Sequence, residues 1–293
     1  MKQIGFIGVG IMGKSMVRNL MKAGYELHIF ARTKSKVEDV ISEGAVFHET
    51  IADCVKGRDA VITIVGFPQD VEEVYFDEGN ILDSADPGTY LIDMTTTSPQ
   101  IAEKIYNEGK KKGFHVLDAP VTGGDSGARE GKLSILVGGD REDYDACLEL
   151  FEAMGTNINY EGKAGCGQHC KLANQIMIAG ALSGVCEALT YAQAKGLDMD
   201  TFFHSVATGA AGSRQFDTLG PKIIGGDYEP GFFMKHFIKD MKLALIEANM
   251  SGLDLGVLSQ VLANCEELQA EGLGELGTQA LMKYYDEEHR GEM

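Results

Sequence analysis

The sequence predicts an α/β fold with a doubly wound, mostly parallel sheet, followed by an all-α domain. Two observations support this prediction. Between residues 3 and 137, short apolar runs alternate with helical patterns, as they do in doubly wound sheets. Beyond about Gly162, apolar residues recur only with helical period. A chain of 293 residues is long for one core, so we expect two domains, residues 1–162 and 163–293.

The predicted strands of the first domain are short runs of β-branched and other apolar residues. Residues 60–65 form a continuous apolar run, which is typical of a parallel strand buried on both faces. Ligands bind at the carboxyl ends of strands in such sheets, and Gly66, 95–98 and 119–124 follow directly after predicted strands. The other predicted strands are residues 4–7, 25–30, 90–93, 115–118 and 134–137.

The second domain is predicted to begin with a long helix. Residues 168–195 contain no proline and keep a helical period, which corresponds to a helix of about 40 Å. Further helical patterns cover residues 199–210, 235–251, 257–270 and 274–285.

Composition limits the classes of partner. The net charge of −18 argues against binding to nucleic acid or to an anionic membrane, because both require a positive surface. We find no secretory signal and no run of about 18 uncharged apolar residues, so we expect a cytoplasmic protein. The six scattered cysteines are expected to be reduced thiols, and their spacing does not indicate a metal site.

A glycine-rich turn follows the first predicted strand. Gly8, Gly10 and Gly13 have the G-x-G-x-x-G spacing, and the setting of strand, turn, helix and strand is complete. Gly8 permits a tight turn, Gly10 allows backbone to approach a pyrophosphate, and Gly13 allows close packing of the helix. The helix start at Ile11 and Met12 would then bind the pyrophosphate of a dinucleotide. The alternative is a βαβ unit whose glycines serve packing only.

The end of the second predicted strand indicates which dinucleotide binds. Ala31, Arg32 and Thr33 are followed by Lys36, and there is no acidic residue before Glu38. Arginine accommodates a 2′-phosphate, whereas an acidic residue would bind the ribose hydroxyl of NAD. We therefore expect NADP(H) to be preferred over NAD(H). An ordinary solvated basic turn is the alternative interpretation.

Another glycine-rich stretch follows the predicted strand 115–118. Thr122, Gly123 and Gly124 offer a hydroxyl group and successive backbone N–H groups, which can bind an anion such as a carboxylate. A plain surface loop is the alternative interpretation.

The long predicted helix carries polar residues at its start. Lys171, Asn174 and Gln175 share one face. The apolar residues that follow on the same face are Ile178, Leu182, Val185 and Leu189. Burial of a lysine lowers its pKa, which suits a group that donates and accepts a proton. A lysine that extends to the surface is the alternative. Farther along the chain, Phe232 and Lys239 are seven residues apart and would share one helix face.

Together these residues resemble the β-hydroxyacid dehydrogenase family, which includes 3-hydroxyisobutyrate dehydrogenases and tartronate semialdehyde (2-hydroxy-3-oxopropionate) reductases. The resemblance covers nearly the whole chain and implies a Rossmann domain followed by a helical domain. It implies that Lys171 is catalytic and that Asn174 orients the substrate. The chain departs from the family pattern at three places, with Thr122 where serine is usual, Gln175 where asparagine is common, and a Gly66-Phe67-Pro68 turn.

The same resemblance implies roles for further residues. Those that match carboxylate-binding positions are Thr122, Gly123 and Gly124. Those that match positions beside the nicotinamide are Val65, Gly66 and Thr96. Those that match positions closing over the cofactor from the second domain are Phe232 and Lys239.

These observations predict an oxidoreductase that transfers hydride between NADP(H) and a small β-hydroxy acid or semialdehyde, of the 3-hydroxyisobutyrate or 2-hydroxy-3-oxopropionate type. Lys171 would be the general acid and base. The alternatives are a 6-phosphogluconate-type dehydrogenase and a non-catalytic NADP-binding sensor, while the lysine disfavours an imine reductase. Family resemblance implies a homo-oligomer, dimer or tetramer. The exact acid, the reaction direction and the role of Arg214 stay open at this stage.

Overall fold

A computed structural model of the chain describes residues 1–285. The chain divides into two compact units, one from Met1 to Lys171 and one that begins at Leu172. The strands of the described residues lie in the first unit, whereas the second consists of helices and 3₁₀ turns. This architecture confirms the predicted fold class.

Nine strands form a single sheet in the first unit. The first six strands are parallel and lie in the order β3-β2-β1-β4-β5-β6, the order of dinucleotide-binding sheets. An antiparallel β8 extends the sheet beyond β6, and it also pairs with β7 and β9. The strands are β1 (Gln3–Ile7), β2 (Glu26–Phe30), β3 (Val46–Phe47), β4 (Ala60–Thr63), β5 (Tyr90–Asp93), β6 (His115–Asp118), β7 (Val121–Thr122), β8 (Leu133–Gly139) and β9 (Gly155–Gly162).

The helices surround this sheet and then form the second unit. Short 3₁₀ turns cover Lys34–Lys36, Leu273–Glu275 and Thr278–Tyr285. The helices are α1 (Ile11–Lys22), α2 (Glu38–Ser42), α3 (Ile51–Val55), α4 (Pro68–Phe76), α5 (Ile81–Ser84), α6 (Pro99–Lys111), α7 (Gly124–Glu130), α8 (Arg141–Glu152), α9 (Cys166–Ala194), α10 (Met199–Val206), α11 (Arg214–Ile224), α12 (Met234–Met250) and α13 (Gly256–Ala270).

The sheet is buried on both faces because successive strand residues point to opposite sides. Ile62 and Ile92 belong to the apolar core on one face, while Val61 and Leu91 belong to the core on the other. This arrangement explains why the central strands are continuous apolar runs rather than alternating ones.

The second unit has its own core, to which α9 contributes a regular stripe. Ala179, Leu182, Cys186 and Leu189 are buried and recur every three or four residues. By length and composition alone, α9 is long and apolar enough to cross a membrane. In this chain its stripe packs with residues of α12 and α13, as a core helix does.

The structure differs from the sequence prediction in several elements. Strand β9 was not predicted, because it is mostly solvent-accessible and its residues lack an apolar run. Helix α7 forms where the sequence analysis predicted no helix, and α11 forms although Pro221 lies inside it. The helix predicted at 199–210 ends at Val206, and the pattern at 274–285 forms 3₁₀ turns.

Candidate active site

The glycine-rich turn has the geometry that the sequence predicts. A Cβ on Gly8 would overlap the carbonyl oxygen of Ile64, and one on Gly13 would overlap the carbonyl oxygen of Gly8. Both glycines are therefore required by the packing of the chain itself. A Cβ on Gly10 would meet no atom within 4 Å, so packing within the protein does not explain this glycine.

Helix α1 begins at this turn without a side-chain cap. Gly10 occupies the N-cap position, no side chain accepts a hydrogen bond there, and no acidic residue lies in the first turn. Ile11 is exposed, and Met12 and Gly13 follow it in that turn. Free N–H groups and the positive end of the helix dipole favour an anion. The turn therefore fits the pyrophosphate of a dinucleotide.

The basic segment after β2 is largely solvent-accessible. The side chain of Arg32 is 76% exposed, and its Nη1 atom lies 3.2 Å from Oδ1 of Asp70. Thr33 precedes the 3₁₀ turn that contains Lys36, and both residues are exposed. The segment thus presents cationic and hydroxyl groups at the carboxyl end of β2, with Asp70 as an acidic neighbour.

A buried carboxylate organises the ends of β4 and β5. Oδ1 of Asp93 accepts hydrogen bonds from Thr63 Oγ1 at 2.8 Å and from the Thr95 backbone N–H at 3.1 Å. Oγ1 of Thr95 accepts a bond from the Val65 N–H at 3.0 Å, so the two strand ends are linked. Burial raises the pKa of the Asp93 carboxyl to about 6. Val65 and Gly66 are half-buried beside this link, and so is Thr96.

A second buried carboxylate lies at the end of the next strand. Asp118 Oδ1 accepts the N–H of Gly165 at 2.8 Å, and its Oδ2 accepts the N–H of Gln168 at 2.9 Å. Asp118 therefore caps the start of α9 from a strand that lies far away in the sequence. Burial raises the pKa of the Asp118 carboxyl, while these backbone hydrogen bonds oppose the shift.

Lys171 lies one helical turn after this anchored start. It is the last residue of the first unit and is only 7% exposed. Asp118 ends β6, and the parallel strands end at one edge of the sheet, so the fixed start of α9 lies at that same edge. The first unit thus gathers the glycine-rich turn, Arg32, Thr96 and Lys171 at one edge.

The stretch after β6 is more regular than a loop. Thr122 ends β7, and Gly123 and Gly124 have φ values of 131° and 67°, which glycine adopts readily. Gly124 starts α7, so successive backbone N–H groups of this stretch belong to a strand end and a helix start. Such groups suit a carboxylate.

In the second unit, Gln175 connects polar residues of two helices. Its Oε1 accepts a hydrogen bond from Asn174 Nδ2 at 2.8 Å, and its Nε2 donates to Asp240 Oδ2 at 2.7 Å. Lys239 Nζ forms an ion pair with Asp240 Oδ1 at 2.7 Å. Both oxygens of a buried aspartate are thus engaged, and they join Asn174, Gln175 and Lys239 in one cluster.

Phe232 and Arg214 lie at helix starts in the second unit. Phe232 precedes α12, is partly exposed and stacks on His236 with ring centroids 6.4 Å apart. Arg214 is the first residue of α11 and is exposed. Among the described residues, no three His, Cys, Asp or Glu side chains are grouped so that they could hold a metal ion.

The sequence interpretation missed several functional candidates. Asp93 and Asp118 each end an apolar strand, and a carboxylate in that position is the signal that could have identified them. Gln168 precedes Lys171 by one helical turn. No local pattern in the sequence predicts the ion pair between Asp70 and Arg32, because it depends on the pairing of strands.

Two family models cover most of the chain. Residues 3–162 match the model described as the NAD binding domain of 6-phosphogluconate dehydrogenase. Residues 165–285 match the model described as NAD-binding of NADP-dependent 3-hydroxyisobutyrate dehydrogenase.

Relatives of known name are similar over nearly their full lengths. The chain is 47% identical to the uncharacterized oxidoreductase YkwC of Bacillus subtilis, with 97% of this chain and 99% of the relative covered. It is 36% identical to 2-hydroxy-3-oxopropionate reductase of Escherichia coli, with 96% of each covered. It is 34% identical to NAD-dependent L-serine dehydrogenase of Pseudomonas aeruginosa, with 98% of each covered.

A solved structure shares the fold. It is the 3-hydroxyisobutyrate dehydrogenase of Mycobacterium tuberculosis with L-serine, and it aligns with a TM-score of 0.88 and 27% identity. The alignment covers 97% of this chain and 98% of that one.

Proposed function

The chain belongs to the β-hydroxyacid dehydrogenase family, and on this premise we propose that it transfers hydride between NADP(H) and a small β-hydroxy acid or its semialdehyde. The observation that carries the proposal is Lys171, a buried lysine fixed one turn after the anchored start of α9. A buried lysine amine at the edge of the sheet where dinucleotides bind suits proton transfer to a reacting oxygen.

The proposed mechanism assigns proton transfer to the protein and hydride transfer to the nicotinamide. NADP(H), when bound, supplies or accepts the hydride. In reduction, Lys171 as an ammonium group polarises the substrate carbonyl and donates a proton to its oxygen. In oxidation, neutral Lys171 removes the hydroxyl proton. Asn174 orients the substrate oxygen through its amide, and Gln175 holds Asn174 in place.

We propose that the substrate carboxylate is bound by Thr122, Gly123 and Gly124. The strand end and helix start at this stretch supply backbone N–H groups, and Thr122 supplies a hydroxyl. In a chain of net charge −18, such local donors offset the overall repulsion of an anion. Relatives named for 2-hydroxy-3-oxopropionate, L-serine and 3-hydroxyisobutyrate support a three- or four-carbon acid of this class.

The preference for NADP(H) over NAD(H) rests on the segment after β2. Arg32 is exposed and can bind a 2′-phosphate with two parallel hydrogen bonds, with support from Thr33 and Lys36. One relative is named NAD-dependent, so the family contains both specificities. Ala31, Val65, Gly66 and Thr96 are further proposed cofactor residues of the first unit, and Phe232 and Lys239 of the second.

We also propose a cytoplasmic homo-oligomer. The second unit exposes several large apolar side chains, which favour association between copies. These residues are Met177, Ile246, Met250, Leu253 and Val257. Size-exclusion chromatography with light scattering measures the oligomeric state. A monomer at all protein concentrations would contradict the proposal.

A substrate panel tests the catalytic proposal. Consumption of NADPH and of NADH is followed at 340 nm with 2-hydroxy-3-oxopropionate and methylmalonate semialdehyde. The reverse reaction is followed with 3-hydroxyisobutyrate, L-serine and 6-phosphogluconate. We expect turnover of at least one small β-hydroxy acid or semialdehyde, faster with the phosphorylated cofactor. Turnover of 6-phosphogluconate alone, or tight cofactor binding without any turnover, would favour the alternative functions.

A further inference from the structure

Gln168 is a fully buried side chain that the proposed mechanism does not use. It belongs to the first turn of α9, and its amide bridges two backbone groups of another segment. Oε1 accepts the N–H of Thr97 at 3.0 Å, and Nε2 donates to the carbonyl oxygen of Thr95 at 2.8 Å. Its own backbone N–H donates to Asp118.

These bonds fix the segment that follows β5 in a definite orientation. Thr95 and Thr97 are buried, whereas Thr96 between them is half-exposed. The Thr95 carbonyl and the Thr97 N–H flank Thr96, so holding both groups determines the direction of the Thr96 side chain. The amide of Gln168 is suited to this task because it provides a donor and an acceptor on adjacent atoms.

Close packing around the first turn of α9 leaves this turn little freedom to move. A Cβ on Gly167 would lie 2.8 Å from the Asp118 carbonyl oxygen and 2.8 Å from its Oδ2 atom. A Cβ on Gly138 would lie 2.6 Å from Asp118 Oδ1 and 2.8 Å from the Gly167 nitrogen. The first turn of α9 is therefore packed directly against strand backbone, and Lys171 lies one rigid turn further on.

We propose that Gln168 is a positioning residue that fixes Thr96 and Lys171 relative to each other. Thr96 lies in the segment predicted to line the nicotinamide, and Lys171 is the proposed proton donor, so the inference rests on the proposed function. A rigid helix start carries Lys171, and the same side chain holds the neighbours of Thr96. Displacing either group changes the geometry of hydride and proton transfer, to which rates are very sensitive.

The Gln168→Glu variant tests the inference, because lowering the pH should reverse the effect of the substitution on kcat. An ionised carboxyl keeps the acceptor for Thr97 but cannot donate to the Thr95 carbonyl, whereas the protonated form can do both. The ionisable groups near position 168 are the carboxyls of Asp93 and Asp118, at the adjoining strand ends, and the amine of Lys171, on the same helix. At about pH 8, we expect kcat to fall by about 10²-fold with little change in the substrate KM. The kcat ratio of variant to wild type should rise towards one near pH 6.

Gln193→Glu is the matched control, because Gln193 is exposed on the same helix. It should keep the wild-type kcat at both pH values. Hydrogen exchange gives a readout that does not require activity: the Thr97 amide should exchange faster in Gln168→Met, which removes its hydrogen-bond acceptor, but not in the control. The dissociation constant for NADPH, measured from the fluorescence of the cofactor, should rise in the Gln168 variants but not in the control. If Gln168→Glu does not fold, Gln168→Met and Gln168→Asn are measured in the same way.

The outcomes separate the two proposals. If the folded Gln168→Met variant keeps wild-type Thr97 exchange, or if the folded Gln168 variants keep wild-type kcat at pH 8, the positioning role is wrong. For Gln168→Glu, a kcat ratio of variant to wild type that stays constant across pH would contradict it as well. If the wild-type protein turns over no substrate but exchange and NADPH affinity respond as expected, the catalytic proposal fails while the role of Gln168 in orienting the Thr95–Thr97 backbone stands.

Discussion

Arg32 and Asp70 form an ion pair of 3.2 Å in which the acid is held by a second contact. The other oxygen of Asp70 accepts the N–H of Phe67 at 2.9 Å, so the carboxylate is fixed at the start of α4. Exposed ion pairs of this kind contribute little to stability, and the guanidinium can exchange partners at low cost. Asp70 therefore orients Arg32 but also places a negative charge near any phosphate bound there.

Removing the charge of Asp70 should strengthen binding of the phosphorylated cofactor. In Asp70→Asn, the amide oxygen can still accept the Phe67 N–H, so the start of α4 is preserved. We expect the Kd for NADPH to fall several-fold, about 1 kcal/mol in binding free energy, with little change for NADH. Glu73→Gln, on an exposed residue of the same helix, is the control. Equal changes for both cofactors would show that Asp70 does not face the 2′-phosphate.

Substitutions at two glycines of the glycine-rich turn should distinguish an effect on folding from an effect on cofactor binding. Gly10→Ala has free space and should keep the melting temperature of the wild type, yet raise the Kd for both NADPH and NADH at least tenfold. Gly13→Ala has no space and should destabilise the fold by about 1–3 kcal/mol or more. Calorimetry and fluorescence titration measure the two effects. Unchanged cofactor affinity in Gly10→Ala would contradict a pyrophosphate at this turn.

Loss of the Lys171 amine should abolish most of the catalytic rate. We expect Lys171→Ala to lower kcat by about 10²–10⁴-fold, because general acid–base catalysis is lost. The Kd for NADPH should stay within about threefold of the wild type if the amine acts on the substrate alone. Lys163→Ala, at an exposed lysine near the start of α9, provides the comparison. Near-normal kcat in Lys171→Ala would end the proposed mechanism.

The buried carboxyl of Asp93 should make the stability of the first unit depend on pH. Its pKa of about 6 lies above the ordinary value of an unfolded aspartate, so the folded state binds the proton more tightly. The contribution of this group is therefore favourable below about pH 4, declines as pH rises, and is lost above pH 6. The difference between a pKa of about 6 and the ordinary aspartate value corresponds to roughly 3 kcal/mol.

The Asp93→Asn variant removes this dependence. Its amide oxygen can still accept the bonds from Thr63 and Thr95, and Oδ2 of the native carboxylate has no hydrogen-bond partner among the described residues. We expect the difference in unfolding free energy between variant and wild type to grow in favour of the variant from pH 4 to pH 6.5. Urea denaturation across this range measures it, with the exposed Asp77→Asn as control. A difference that does not vary with pH would contradict the prediction.

Local patterns in the sequence were sufficient to predict much of the fold. The alternation of strands and helices and the run at residues 60–65 predict the sheet, because each depends on neighbouring residues only. The edge strand β9 and the helix α11 could not be predicted in the same way. β9 is stabilised by its pairing with β8, and α11 by burial of Phe216 and Ile223 in the core of the second unit.

The candidate site likewise combines local features, which the sequence predicts, with contacts between distant residues, which it does not. The glycine spacing and the position of Lys171 on its helix are local features, and the sequence carries them. The caps and bridges that hold these groups are formed by residues far apart in the chain. Asp118 and Gly165 are separated by 47 positions, and Thr95 and Gln168 by 73. No periodic pattern predicts which of several polar residues will meet at such a distance.

The capping of α9 by Asp118 determines where the chain can be cut. The family model for the first part ends at residue 162, but the compact unit extends to Lys171. A fragment ending at 162 would leave the Asp118 carboxylate and the Thr95 carbonyl without their buried partners. Chimeras that exchange the helical half between relatives should therefore be joined after residue 171, so that the first turn of the helix stays with its own sheet.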